Sequence, residues 1–295
     1  LATTLSPDRL LEFHRAGGFS VHRSASGWWY EAASRFLLAV PTHHAITLPD
    51  EEARSILRAT GALGLRYVSA PGGPGQPSWQ MAATGADYDL EAFSANTRSK
   101  IRRGLKNHEI RRVSGAELAS AGERAFLDTV VRQGRADRYG LDRWRAMLVA
   151  ADATPGIEIW SAWHGEVLAA YLLIMIFDDA CELYEARSRD DCLRSYPNNA
   201  LVYTVTRQML TGRRLPEVTF GIAGLEELES LDAFKLAMGF VRKPVLQHVV
   251  FHPALEVALK LAPVRGVVSL LARRAQNRGF WRRAQGLVAL SGLSG

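Results

Sequence analysis

The feature that most constrains this chain is the run Val167-Leu-Ala-Ala-Tyr-Leu-Leu-Ile-Met-Ile-Phe177. It is too short for a membrane helix, which needs about 20 apolar residues. It is also too uniformly apolar for a strand with one wet face. It therefore reads as a strand buried on both sides, and such a strand needs helices covering both faces of its sheet. The stretch after it agrees: Ala180 to Val250 alternates three strand patterns with two helical ones, the signature of an α/β unit. In open α/β sheets ligands gather at the carboxyl ends of the strands, so chemistry is expected where strand ends meet helix starts.

Upstream, Pro7 to Arg15 is predicted helical, with Ser6 as cap and Pro7 in the first turn. Trp28-Trp29-Tyr30 reads as sheet packing, and Phe36 to Val40 as a strand. Asp50-Glu51-Glu52 places three acids at the positive end of a helix reaching about Thr60. Pro71 to Pro77 has the wrong order of residues for a phosphate-binding loop and reads as a surface turn. His43-His44 could suggest a metal, but adjacent histidines without a partner motif are weak evidence for one, and Asp178-Asp179 and Asp190-Asp191 read as solvated turns.

The most distinctive upstream segment is Asp89 to Lys106. Leu90, Phe93, Thr97, Ile101 and Leu105 form one apolar stripe, while Arg98, Lys100, Arg102, Arg103 and Lys106 form a positive region. Like charges at this spacing repel, so solvent, acids from elsewhere in the fold or bound phosphates must offset them. Helical stretches are predicted from Glu117 to Ala136 and from Leu141 to Ala150, and a final strand over Val245 to Phe251.

The chain of 295 residues carries a formal charge of +6, which allows an anionic partner. Six arginines and no acids lie between Arg265 and Gly295. This basic tail either docks on the body of the protein or meets nucleic acid or an anionic membrane surface. Cys181 and Cys192 form neither a disulfide framework nor a cysteine metal site, which fits a cytoplasmic setting. No apolar run is long enough to cross a membrane, and the start of the chain shows no signal-peptide pattern.

Two sets of residues carry a family resemblance. One is the basic helix around Thr97-Arg98-Ser-Lys100-Ile-Arg-Arg103. The other is the ordered series Tyr184-Glu185-Ala186, Tyr196-Pro197-Asn198-Asn199-Ala200-Leu201, Phe220-Gly221 and Phe234-Lys235-Leu-Ala-Met-Gly239-Phe240. Together they resemble the FemAB-like and BioF2-like acyltransferases of the GNAT superfamily over about residues 90 to 250.

The resemblance implies an α/β fold with two tandem GNAT-like domains built on mixed sheets, plus a basic C-terminal helical tail. The expected division is 1–115, 116–252 and 253–295. It implies transfer of an acyl or aminoacyl group to an amine of a small-molecule, peptide or cell-wall-precursor acceptor. No cofactor is held; the donor is aminoacyl-tRNA or, alternatively, acyl-CoA. Lys235 matches the family's lysine in a Phe-Lys-x-x-x-Gly pattern and is the candidate for stabilising developing negative charge. Glu185 or Tyr184 is the candidate to take or relay the amine proton. Arg98, Lys100, Arg102, Arg103, Tyr196, Asn198 and Asn199 are the candidate donor- or substrate-binding residues.

The helix start at Ser195 to Asn199 offers backbone N–H groups. The Arg/Gln-x-x-Gly-x-Gly/Ala turn of acetyl-CoA enzymes is replaced by Ser195-Tyr-Pro-Asn-Asn-Ala200, which contains no glycine. That departure favours tRNA over CoA. A non-catalytic binding protein on a degenerate GNAT fold is the reading from a different class.

Overall fold

A computed structural model describes residues 4–133, 140–225, 229–261, 270–271 and 278–291. In chain order the elements are α1 (Pro7–Ala16), β1 (Val21–Arg23), β2 (Trp28–Ala33), β3 (Phe36–Val40), α2 (Asp50–Thr60), β4 (Gly64–Ser69), β5 (Gln76–Thr84) and α3 (Ala95–Asn107). Then follow β6 (Glu109–Val113), α4 (Gly115–Ala121), α5 (Glu123–Gln133), α6 (Leu141–Ala153), β7 (Ile157–His164), β8 (Val167–Ile176) and β9 (Ala180–Ser188). The chain continues through α7 (Pro197–Arg207), β10 (Glu217–Ile222), α8 (Glu229–Ala237), β11 (Val241–Phe251), α9 (Pro253–Lys260) and α10 (Arg278–Leu290).

The elements form two compact units that alternate along the sequence. The first takes the chain up to Gly18, then Met81–Gly221 and Glu229–Arg242; the second takes Phe19–Gln80 and, among others, the residues from Lys243 onward.

In the first unit β6, β7, β8 and β9 pair antiparallel, and β10 joins β9 in parallel through the α7 crossover. The apolar run is β8, in which Leu168 to Ile176 are buried as its composition demands. Fully burying a Leu or Ile is worth roughly 1.5–3 kcal/mol, so this strand anchors the unit. Helices cover it: Trp144 of α6 stacks on Phe126 of α5 at 5.2 Å, and α7 crosses the sheet.

The second unit repeats the plan. Strands β1, β2 and β3 pair antiparallel, β4 joins β3 in parallel through α2, and β11 adds antiparallel to β4. Its core gathers Trp29, Leu37, Ile56, Leu57, Leu65 and Tyr67. Each unit thus contributes mixed strands with one parallel pair straddling a helix, so the two repeat one α/β plan.

Several expected boundaries shift for identifiable reasons. The predicted helix from Glu117 breaks at Gly122, whose position against Leu118 leaves no room for a side chain, giving α4 and α5. Residues 134–136 of that prediction lie outside the described ones. Leu90 to Ala92 form a separate turn of 3-10 helix before α3.

The buried face of α3 runs through Thr97, Ile101 and Gly104, whereas Leu105 is 37% exposed. Gly104 takes its place because α3 packs there against α7: an added Cβ would stand 2.5 Å from the Tyr196 carbonyl oxygen.

The tail docks where it is described. Leu287 of α10 is buried with Val249, Phe251 and Leu259, and Gly286 lies against the Leu225 carbonyl. Arg265, Val267, Arg273 and Arg274 lie outside the described residues. No described helix is long and apolar enough to cross a membrane.

Candidate active site

The parallel pair β9–β10 is held together at one end only. Glu217, Val218 and Thr219 pair with Ala180, Cys181 and Glu182, and the pairing stops there although both strands continue. The strands part towards their carboxyl ends, so Leu183–Arg187 and Phe220–Gly221 have no ladder partner across the gap. A second irregularity marks the same place. Between Ile174↔Leu183 and Leu173↔Glu185 the β8–β9 register shifts, so Tyr184 is an extra residue, a β-bulge. Bulges turn side chains out of the regular alternation and occur beside functional sites. Here Tyr184 packs on α1, with ring centroids 6.4 Å from Phe13 and 5.9 Å from His14.

Helix α7 starts at this opening. Tyr196, at φ +61°, forces the sharp entry, Pro197 fixes the first turn, and the Tyr196 side chain at the cap position makes no capping hydrogen bond. Asn198 donates from Nδ2 to Ser188 Oγ at the end of β9, over 3.0 Å, which ties the helix start to the strand end. Ser188 Oγ also accepts from Arg132, at 3.1 Å, and its backbone bonds Thr129. Asn199 donates to Met238 Sδ, 3.4 Å away, and so tethers the segment after α8.

The equivalent crossover helix in the second unit is built differently. Helix α2 begins with Asp50, Glu51 and Glu52, and Glu52 accepts from both the backbone and hydroxyl of Ser26. Its positive end is already neutralised, whereas the first turn of α7 holds no acid.

The predicted cations divide into distinct settings. Arg103 stacks over the Tyr196 ring with Cζ 4.9 Å from the centroid, which brings a positive charge to the start of α7. Arg98 is turned back to the Phe93 carbonyl, 3.0 Å away. Lys100 is half-buried, and Arg102 is exposed.

Lys235, on α8, places Nζ 5.2 Å from the centre of the Phe220 ring, on the strand that leaves the pair. Its side chain is 16% exposed and lies 3.8 Å from Asp232, which Arg242 also approaches, at 3.4 Å.

Glu185 is committed elsewhere. It is 8% exposed; Tyr171 donates to one oxygen at 2.8 Å and Arg187 to the other at 3.1 Å. Trp144 in turn donates to the Tyr171 hydroxyl at 2.8 Å. Arg187 is 4% exposed and lies over Phe126, 5.3 Å from its ring centre. Burial alone would lower the Arg187 pKa; Glu185 and Tyr171 outweigh it and hold it above the ordinary guanidinium value. Burial raises the Tyr171 pKa, so its phenol stays protonated and serves as donor. Glu185, expected to take or relay a proton, thus has both oxygens engaged behind the bulge. Sequence reading missed Arg187, Trp144 and Tyr171. The one signal was a tyrosine inside the otherwise apolar run.

No protein-family model matches the sequence, and no curated protein matches it. Solved structures do. FemX superposes with a TM-score of 0.58 at 12% identity, over 84% of this chain and 92% of that one. The C-terminal domain of a putative lysylphosphatidylglycerol synthetase from Agrobacterium fabrum gives 0.54 at 14% identity, over 87% and 93%. L-PGS from Bacillus licheniformis gives 0.53 at 11%, over 84% and 92%. The chain shares its fold with these proteins. The sequence resemblance is thus met in three dimensions, and at these identities the likeness is one of fold.

Proposed function

We propose that the protein is an aminoacyltransferase that moves an aminoacyl group from aminoacyl-tRNA to an acceptor amine. The reading rests on the opening between β9 and β10, flanked by the Tyr184 bulge, the uncapped and acid-free start of α7, and Lys235 over Phe220. The fold it shares with FemX and the lysylphosphatidylglycerol synthetases supports the same reaction class.

In this reading the unpaired strand edges hold the donor in extended form, and the amine attacks its ester carbonyl. A C–N bond forms, and negative charge grows on the carbonyl oxygen. Lys235 and backbone N–H groups at the opening stabilise that charge, a role in which one donor is worth roughly a hundredfold or more in rate. The C–O bond to the ribose then breaks, and the ribose oxygen leaves with a proton. The amine's proton passes by way of Tyr184 or water. Glu185 acts through Tyr171 and Arg187 by fixing the bulge. The donor's phosphates lie along Arg103, Lys100, Arg98 and Arg102, with Tyr196, Asn198 and Asn199 setting the start of α7.

Acyl-CoA is the second donor reading. The observation favouring it is the same uncapped helix start, which suits any phosphate. The deciding assay offers purified protein charged tRNAs and acyl-CoAs with candidate amines, with and without ribonuclease. Amide formation abolished by ribonuclease is expected. Ribonuclease-insensitive turnover with acyl-CoA would promote the second donor. No turnover with any donor would favour a non-catalytic binding protein.

A further inference from the structure

The end of α3 meets the turn that launches α7 through three short contacts. His108 Nδ1 lies 2.9 Å from the Gly104 carbonyl oxygen, and Nε2 lies 3.1 Å from Ser195 Oγ. Ser195 Oγ in turn lies 2.7 Å from the Cys192 carbonyl oxygen. Carbonyl oxygens only accept, so the first contact needs a proton on Nδ1 and the third needs the serine proton. The middle contact then needs a third proton. A neutral imidazole and a hydroxyl supply two, whereas an imidazolium and a hydroxyl supply three. In the neutral form the serine proton is therefore contested between Nε2 and Cys192; in the charged form every contact is made.

The surroundings set the opposing tendency. Burial lowers the His108 pKa, the Gly104 bond raises it, and His164 on β7 lowers it. The rings of His108 and His164 are 5.9 Å apart, and His164 Nδ1 contacts the Asn107 carbonyl at 2.8 Å. The neighbouring charges are Arg103 and Lys106 on α3, Glu109 on β6, which pairs with Arg111 at 3.8 Å, and Arg194 in the turn, where Cys192 is also titratable. Arg207, the charge on α7, sits at the far end of that helix and pairs with Asp89 at 3.3 Å.

We propose that His108 and Ser195 are positioning residues that form a proton-dependent brace for the start of α7, and that anion binding there is coupled to uptake of one proton. What α7 binds rests on the donor reading above; the brace itself does not. The direction follows from the contacts. Protonation completes the hydrogen bonds of the 192–195 turn and adds positive charge behind the helix start. A phosphate bound there stabilises the imidazolium and raises its pKa. Affinity therefore rises as pH falls through the His108 pKa.

The test has two arms. Imidazole resonances of His108 are titrated by NMR in the native chain and in Ser195→Ala. Loss of the serine oxygen, which accepts from Nε2 in the charged form, is expected to lower the His108 pKa, and Ser195→Thr should restore it. An unchanged or raised pKa in Ser195→Ala overturns the brace. In the second arm uncharged tRNA, whose phosphodiesters do not titrate between pH 5 and 8, is bound to the native chain and to His108→Gln. Because burial holds the His108 pKa below its ordinary value, the window reaches to pH 5, and native affinity should rise between pH 8 and 5 by roughly fivefold more than in the variant, a modest coupling between linked sites. Equal pH dependence in the two overturns the coupling. No binding of tRNA at any pH refutes the donor reading and the coupling together, while the brace stands or falls on Ser195→Ala.

Discussion

Replacing Glu185 by Ala separates two roles that a carboxylate beside a β-bulge can have. The structure gives it a structural role, and the size of the effect can be worked out. Arg187 is 4% exposed and bonds Glu185 at 3.1 Å. Removing one partner of such a buried pair leaves an uncompensated charge, which costs about 3–5 kcal/mol. Tyr171 would also lose its 2.8 Å acceptor while still receiving the Trp144 N–H. A buried donor left unsatisfied adds about 1–3 kcal/mol. The two losses share one network and do not add fully, so a total of about 4–6 kcal/mol is expected. Against a typical stability of about 5–15 kcal/mol, that threatens the fold of the first unit.

Urea unfolding should show a large fall in midpoint. The pair Glu185→Leu with Arg187→Met, which removes both charges, should recover most of the loss. A folded Glu185→Ala protein with native stability and lost turnover would refute the reasoning. It would return Glu185 to the role of proton acceptor.

Four further outcomes follow from named contacts. Lys235→Met should lower kcat by about a hundredfold in a protein of native stability, the loss typical of one charge-stabilising donor; steady-state kinetics beside a melting curve check it. Gly104→Ala should lower the urea midpoint, because its methyl would meet the Tyr196 carbonyl oxygen at 2.5 Å and Ala200 Cβ at 2.9 Å. That overpacking costs about 1–3 kcal/mol, more than the roughly 0.5–1 kcal/mol gained from helix propensity. His14, fully buried, has its pKa pushed down to about 3 by burial. The unfolded chain therefore takes up a proton first, and stability is lost as pH falls from about 6.5 towards 3; His14→Gln should make that acid limb shallower. Replacing Arg98 and Arg102 together should reduce the salt dependence of tRNA binding by about one to two phosphates' worth, measured as the slope of log affinity against log salt.

What the sequence disclosed, and what it hid, follows from which residues carry a hydropathy signal. The buried strand was legible because Val167 to Phe177 is apolar at almost every position, and β8 covers Val167–Ile176. The helix of the basic cluster was legible too, but its inner face was not. Leu105 carried the expected stripe while Gly104, with no side chain to score, lies against α7. Glu185 stood out as a charge near a strand end, where sequence alone suggests solvent or chemistry, while its partner Arg187 gave no signal. Their burial depends on Tyr171 and Trp144, 14 and 41 positions upstream of Glu185.

One clue to the site was already on the surface of the sequence. Asp50-Glu51-Glu52 opens α2 and Pro197-Asn198-Asn199 opens α7, in equivalent places of two similarly built units. A helix start that carries its own acids has spent its field on them; one that carries none can offer it to a ligand. Of these two crossover starts the one at α7 carries no acid in its first turn, and this is the feature on which the proposed anionic donor rests.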